Sequence, residues 1–204
     1  MGFYQNRILP RLIDLAMRNR ELASYRERVL SAAEGRVLEI GIGSGMNLPF
    51  YAGRVTQIVG LEPAPRLLEM TREAAKDSGI PVELLSASAE DIPLPDHEFD
   101  TVVTTWTLCS IPAASAALDE MRRVLKPTGR LLFVEHGRSP DEGVRRWQNR
   151  LTPVWKRIGG GCHLNRPIRE LIEGAGFRIE HLQTGYMKGP KPMTYMYEGR
   201  AVST

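Results

Sequence analysis

Nine residues, Val37-Leu38-Glu39-Ile40-Gly41-Ile42-Gly43-Ser44-Gly45, constrain the fold of this chain more than any other stretch. An apolar run with one carboxylate inside it passes directly into glycines at every second position. That is the pattern of a buried parallel strand delivering a ligand-wrapping loop. Glycine is needed where the backbone takes φ > 0 or where a ligand lies against it, and folding alone rarely asks for three in five residues. The dinucleotide fingerprint G-x-G-x-x-G is not met: the third glycine comes one residue early, and Glu39 precedes the first. A carboxylate there repels pyrophosphate and suits a ligand that carries positive charge. The alternative is an ordinary strand-to-turn junction.

Three more pieces follow in order. Gln57-Ile58-Val59-Gly60-Leu61-Glu62 predicts a second buried strand ending in a carboxylate, 21 residues after Gly41. An acidic side chain at that distance is placed to accept both ribose hydroxyls of an adenosine. Ser86-Ala87-Ser88-Ala89-Glu90-Asp91-Ile92-Pro93, after the apolar stretch Val82 to Leu85, is placed to cover an adenine. Phe99-Asp100-Thr101-Val102-Val103-Thr104-Thr105 predicts a strand entering Trp106-Thr107-Leu108-Cys109.

Together these motifs resemble the class I S-adenosylmethionine-dependent methyltransferases over roughly residues 35 to 137. The likeness runs through Leu125-Lys126-Pro127-Thr128-Gly129-Arg130-Leu131, which is similar to the family's turn into its fifth strand. It implies a Rossmann-like α/β fold: a mostly parallel seven-stranded sheet, helices on both faces, and a C-terminal antiparallel hairpin. It also implies S-adenosylmethionine as cofactor, with Glu39, Gly41, Gly43 and Gly45 at the methionine moiety, Glu62 at the ribose, and Ala89 and Glu90 on the adenine side. By the same likeness Ser44, Asn47, Pro63, Thr105 and Leu108 join the cofactor site. Relatives often carry aspartate where Ser88 stands, so the adenine amino contact falls to Glu90, Asp91 or backbone.

Thr107-Leu108-Cys109-Ser110, Val134-Glu135-His136 and the Trp-rich insert ending in Gly161-Cys162 resemble, along nearly the full chain, small methyltransferases related to the animal alkyl-thiol methyltransferases. This implies a thiol or another soft, lipophilic acceptor. Those animal members carry an N-terminal membrane anchor, and none is expected here. The quinone-ring and phospholipid methyltransferases resemble the core equally well and stay open as a reading. They usually begin with a Tyr-Asp-rich segment, where this chain has only Tyr4 and Tyr25. A third reading is a domain that binds S-adenosylmethionine without catalysis.

The 204 residues suit a single domain, 1 to 204, with residues 1 to 34 as an N-terminal helical cap and 138 to 164 as an insert or lid. A net charge of +3 is too weak to argue for nucleic acid, but residues 138 to 169 hold eight Lys or Arg against Asp141 and Glu142, together with Trp147 and Trp155. That stretch reads as a solvated basic face, or as a lid drawn to anionic lipid or an acidic substrate. Cys109 and Cys162 form no C-x-x-C, so neither a zinc site nor a redox pair is expected, and a reducing cytoplasm fits. No signal-peptide core, 18-residue apolar run or myristoylation pattern is found, leaving a cytoplasmic protein that can be peripheral to a membrane. Oligomeric state stays open.

Periodicity predicts a helix over 4 to 30, with Ile8, Leu12, Leu15 and Ala16 on one face and Leu22, Tyr25 and Val29 continuing it. It either lies over the cofactor mouth or simply packs on the sheet. Beyond it come strand 36 to 40, helix 47 to 52, strand 57 to 61, helix 65 to 77, strands 82 to 86 and 99 to 105, helix 113 to 124 and strand 130 to 135. Such alternation requires a parallel sheet covered on both faces. Pro140, Pro153 and Gly159-Gly160-Gly161 are expected to interrupt the insert, in which Trp147, Leu151, Val154, Trp155 and Ile158 keep the helical spacing of a core stripe. A helix at 166 to 174 and strands at 177 to 182 and 193 to 201 complete the chain.

Methyl transfer from a sulfonium needs alignment, exclusion of water and, for some acceptors, removal of a proton. Two histidines are candidate bases: His136, beside Glu135 at the end of strand five, and His163 in Gly161-Cys162-His163-Leu164-Asn165-Arg166. A structural role is the alternative for each. Cys109 reads as a small buried hydrophobe.

Overall fold

The computed structural model describes residues 9 to 204, so the start of the predicted N-terminal helix lies outside the described residues. The rest of that helix is two. Helix α1, Leu9–Met17, ends before Asn19, whose extended backbone and side-chain bond to the Glu21 N–H start α2, Arg20–Leu30. An asparagine offering its oxygen to a free helical N–H is a local stop-and-restart signal that apolar periodicity does not register.

Seven strands follow: β1 Gly35–Ile40, β2 Val55–Leu61, β3 Val82–Leu85, β4 Phe99–Thr105, β5 Leu125–His136, β6 Phe177–Tyr186 and β7 Tyr195–Ser203. They form one sheet in the order β3-β2-β1-β4-β5-β7-β6, parallel except for β7, which pairs antiparallel with both β5 and β6. The order reverses direction at β1, between β2 and β4. A crevice opens there at the carboxyl ends of the strands, which is where open α/β sheets bind ligands.

Side-chain alternation along the strands builds two cores. Leu38, Ile40, Val102 and Phe133 face α4, Ala114–Val124, and α6, Ile168–Gly174, whereas Val37, Val103, Leu132 and Val134 face α2. Helix α3, Pro65–Ala74, follows β2, and a single turn, α7 Lys191–Thr194, precedes β7. Residues 48 to 50 form only a short 3-10 turn in place of the longer helix expected at 47 to 52, because Tyr51 is already extended.

The insert departs most from expectation. Helix α5, Glu142–Ile158, runs through Pro153 without a break, and its apolar stripe faces outward: Trp147 is 56% exposed, Val154 62% and Leu151 36%. Its buried side is polar. Gln148 accepts from the Ser139 N–H and donates to the Gly137 and Pro192 carbonyls, and the Thr152 hydroxyl donates to the Gln148 carbonyl. With those sites satisfied, the helix docks through hydrogen bonds and Trp155, which packs against Cys109, Cys162 and Leu164. Helical spacing alone cannot say which of two faces turns inward.

Candidate active site

A cavity of about 370 Å³ fills the crevice at the switch point, walled by the loops after β1, β2, β3 and β4. Gly41, Gly43 and Gly45 have φ of 66°, 62° and 80°, the left-handed region that side chains resist. At Gly43 a Cβ would meet nothing of the protein closer than the Gly41 carbonyl at 3.8 Å, so this bare backbone faces the space a ligand would occupy. Gly45 serves differently. Its missing side chain lets Thr71 and Ala74 of α3 come close, and it does not line the cavity.

Glu39 shares strand parity with Val37, so its side chain turns toward α2. It is 1% exposed, accepting from Tyr51 O–H at 2.7 Å and from Asn47 Nδ2 at 2.8 Å. Asn47 also donates to Thr105 Oγ1 and accepts from Arg26 Nε at 2.9 Å, and Arg26 stacks on the Trp106 ring. Burial drives the Glu39 carboxyl up to about 7, against the lowering pull of Tyr51, Asn47 and Arg26. A cation entering the cavity would restore the charge that burial withholds.

At the end of β2, Glu62 lines the cavity beside Pro63, accepting from the N–H groups of Ala64 and Gly43. It thereby fixes the glycine loop, and burial raises its pKa against those two bonds. Ser88, Ala89 and Glu90 form the next part of the wall, with Glu90 also accepting from the Ala113 N–H. Asp91 is exposed and outside the lining. Ser44 donates to Asp14 of α1, and Leu9, Pro10, Ile13 and Met17 of that helix reach the cavity.

The loop after β4 rests on a buried carboxylate. Glu135 accepts from Thr104 Oγ1 and from the backbone N–H groups of Thr107 and Leu108, and burial lifts it to about 8. This turn holds Trp106 at φ 50°, a strained value for a bulky side chain, with its ring at the cavity. Leu108 does not line the cavity. It is fully buried in the core, contributing only its backbone to the Glu135 anchor. Asp14, Arg26, Tyr51, Trp106 and Glu135 escaped the sequence reading because their roles come from contacts between distant segments.

Neither histidine reaches the cavity wall. β5 lies one strand beyond β4, so its carboxyl end opens onto the space behind the β4 loop rather than the crevice. His136 points Nε2 at Cys162 Sγ, 3.0 Å away, and Cys109 completes a cluster whose ligand atoms lie within 4.8 Å of one another. Hydrogen bonding from Cys162 and then the charge of His136 hold the Cys109 thiol well below its usual range. Sharing that hydrogen bond pushes Cys162 up. His163 lies in a separate shallow depression with Pro112 and Arg166. Partial burial, then Arg166 and Lys156, lower its pKa.

Residues 38 to 133 match the family model described as a methyltransferase domain. The chain is 34% identical over 193 residues to Thiol S-methyltransferase TMT1B of Homo sapiens, covering 89% of this chain and 77% of that one. It is a class I S-adenosylmethionine-dependent methyltransferase. The same-named protein of Rattus norvegicus is 36% identical over 154 residues, 74% of this chain and 63% of its own length. The enzyme thus spans somewhat less than two thirds of that relative. Phosphatidylethanolamine N-methyltransferase of Cereibacter sphaeroides is 36% identical over 109 residues, 52% of this chain and 53% of that one. In three dimensions the enzyme resembles the SAM-dependent methyltransferase from Aquifex aeolicus, with a TM-score of 0.68 at 18% identity, covering 96% and 98% of the two chains.

The cavity fits this cofactor. Glu39 would offer a buried carboxylate to its positive charge, the bare Gly43 backbone leaves room for close approach, and Glu62, at the end of β2, would meet a ribose. Among the residues expected to bind it, all except Gly45 and Leu108 line the space.

Proposed function

We propose that the enzyme methylates a small lipophilic thiol. The observation that carries this reading is the character of the cavity wall away from the glycine loop and the ends of β2 and β3: Leu9, Ile13, Ile111, Pro112, Gly159 and Gly160, with the hydroxyls of Thr107 and Ser110 beside them. Such a wall attracts apolar molecules and offers no base. A thiol does not need one, because a few per cent is already thiolate at neutral pH. Amines and quinols make heavier demands for a proton acceptor. Likeness to the thiol methyltransferases extends through the insert, whereas likeness to the phosphatidylethanolamine enzyme stops at about half the chain. When bound, S-adenosylmethionine supplies a methyl group already activated on a sulfonium. The protein's work is to align the acceptor, for which ~7 to 11 kcal/mol is available, and to exclude water. On this reading His136 and His163 support the wall rather than take the proton.

Rates test the proposal. For thiols of differing acidity, kcat/KM should rise about tenfold per pH unit below each thiol's own pKa and then level, the break moving with the thiol. A break fixed near neutrality for every thiol would point to a protein base. Faster release of S-adenosylhomocysteine with quinols or amines than with any thiol would transfer the enzyme to the competing group.

The outward apolar face of α5 supports delivery of that acceptor from a membrane surface. Trp147, Leu151 and Val154 are flanked by Arg145, Arg146, Arg150, Lys156 and Arg157, and the helix leads into Gly159 and Gly160 at the cavity. Among the described residues no helix is long and apolar enough to cross a membrane, so contact would be lateral. Each basic residue near an anionic surface adds about 1 kcal/mol. The enzyme should co-sediment with vesicles containing phosphatidylserine, less so as salt rises, and Trp147→Ala combined with Val154→Asp should abolish this. Absence of binding at low salt would leave α5 as a pocket support only.

A further inference from the structure

We propose that Cys109, His136 and Cys162 form a site for one divalent cation of the zinc type. The three residues come from separate elements: the loop after β4, the end of β5 and the segment after α5. Their ligand atoms nonetheless lie within 4.8 Å of one another, and both cysteines are free. Two thiols and an imidazole are the donors zinc prefers, and three protein donors with a fourth position for water make a recurrent tetrahedral set. Ideal bond lengths would place nitrogen and sulfur about 3.5 Å apart and the two sulfurs about 3.8 Å apart. His136 Nε2 and Cys162 Sγ stand at 3.0 Å, so a cation needs an opening of roughly half an ångström, which side-chain rotation can supply.

The present pairing also leaves one group unsatisfied: His136 Nδ1 is buried without a hydrogen-bond partner. Coordination through Nε2, the nitrogen that faces Cys162, would offset the cost of burying the ring, while Nδ1 would stay unpartnered. The surroundings are suitably dry and soft. Trp155 and Met193 pack around the two cysteines and Leu164, and Ser110 Oγ lies 3.5 Å from Cys109 Sγ. Because Ser110, Gly159 and Gly160 line the cavity while Cys109 precedes Ser110 and Cys162 stands two residues after Gly160, the cation would clasp the acceptor side of the active site to the sheet. The sequence hides this arrangement, since the two cysteines stand far apart in the chain and no metal-binding spacing is present.

Metal content tests the proposal independently of which acceptor is methylated. Full-length enzyme purified under reducing conditions should carry zinc at one equivalent per chain. After chelation it should take up cobalt with the intense red-region and thiolate charge-transfer absorption of a tetrahedral sulfur site. Zinc added to the stripped enzyme should raise the unfolding temperature, saturating at one equivalent. Cys162→Ser should lose the cobalt charge-transfer band in proportion to the lost thiolate, and His181→Asn, on the exposed face of β6, should keep it. Folded wild-type enzyme that holds no stoichiometric zinc and gives only octahedral cobalt spectra would overturn the site. So would retention of both thiols as free, alkylatable cysteines when the stripped enzyme is offered zinc at one equivalent under the same reducing conditions.

Discussion

Gly43→Val should remove cofactor binding, lowering S-adenosylmethionine affinity by about 100-fold or more, a loss of roughly 3 kcal/mol. Two effects combine. The introduced isopropyl group would project into the space where Gly43 presents bare backbone, and the substituted residue would have to hold φ near 62°. The second effect costs about 1 to 2 kcal/mol in stability, because a left-handed conformation presses Cβ on the following carbonyl. For a chain of this size that is roughly 2 to 8 °C in Tm. The fold survives, since no protein atom stands closer than 3.8 Å to the new Cβ. Gly79→Ala is the matched control: its Cβ would meet nothing within 4 Å, and it should change neither quantity. Calorimetry that finds affinity intact in a folded Gly43→Val protein would move the ligand away from this loop.

The loop that this prediction targets was legible because its signal is local. Glycines at alternate positions after an apolar run, and a carboxylate 21 residues on, state a backbone requirement that no distant segment can alter. Strand alternation was legible for the same reason, and the sheet follows from it. What stayed hidden depends on packing between segments. Arg26 reaches Asn47 across 21 residues, Glu135 anchors Thr107 and Leu108 from the neighbouring strand, and Cys109 meets His136 because β4 and β5 are adjacent, while Cys162 joins them where the segment after α5 bonds back through the His163 N–H to the Cys109 carbonyl. The reading of α5 reversed for a related reason. Its polar stripe finds a full set of hydrogen bonds at Gly137, Ser139 and Pro192, a complementarity written in three separate places in the chain.

Glu39→Gln should weaken S-adenosylmethionine binding about 10- to 100-fold, the value of a charge-assisted contact, and should also erase a pH dependence. In the free enzyme the Glu39 carboxyl is held near 7 by burial, while Arg26, Asn47 and Tyr51 around it pull the other way. A carboxyl raised above its unfolded value of about 4.3 contributes stability that is present below that value and is lost as pH rises through about 7. The interval is worth roughly 3.5 kcal/mol. Through Glu39 the free enzyme should therefore lose Tm between about pH 4.3 and 7, and Glu39→Gln should flatten that slope. Cofactor affinity should run the opposite way. Between about pH 5 and 7 the proton must leave before the carboxylate can meet a positive ligand, so the wild-type Kd should fall about tenfold per pH unit, with one proton released on binding. The affinity slope should vanish in Glu39→Gln, in which the amide cannot ionise, and the stability slope should shrink by the Glu39 share while Glu135 keeps its own. Calorimetry in buffers of different ionisation enthalpy counts the released proton. A count of zero at about pH 6, with equal pH slopes in wild type and variant, would show that Glu39 does not change its charge when the ligand arrives.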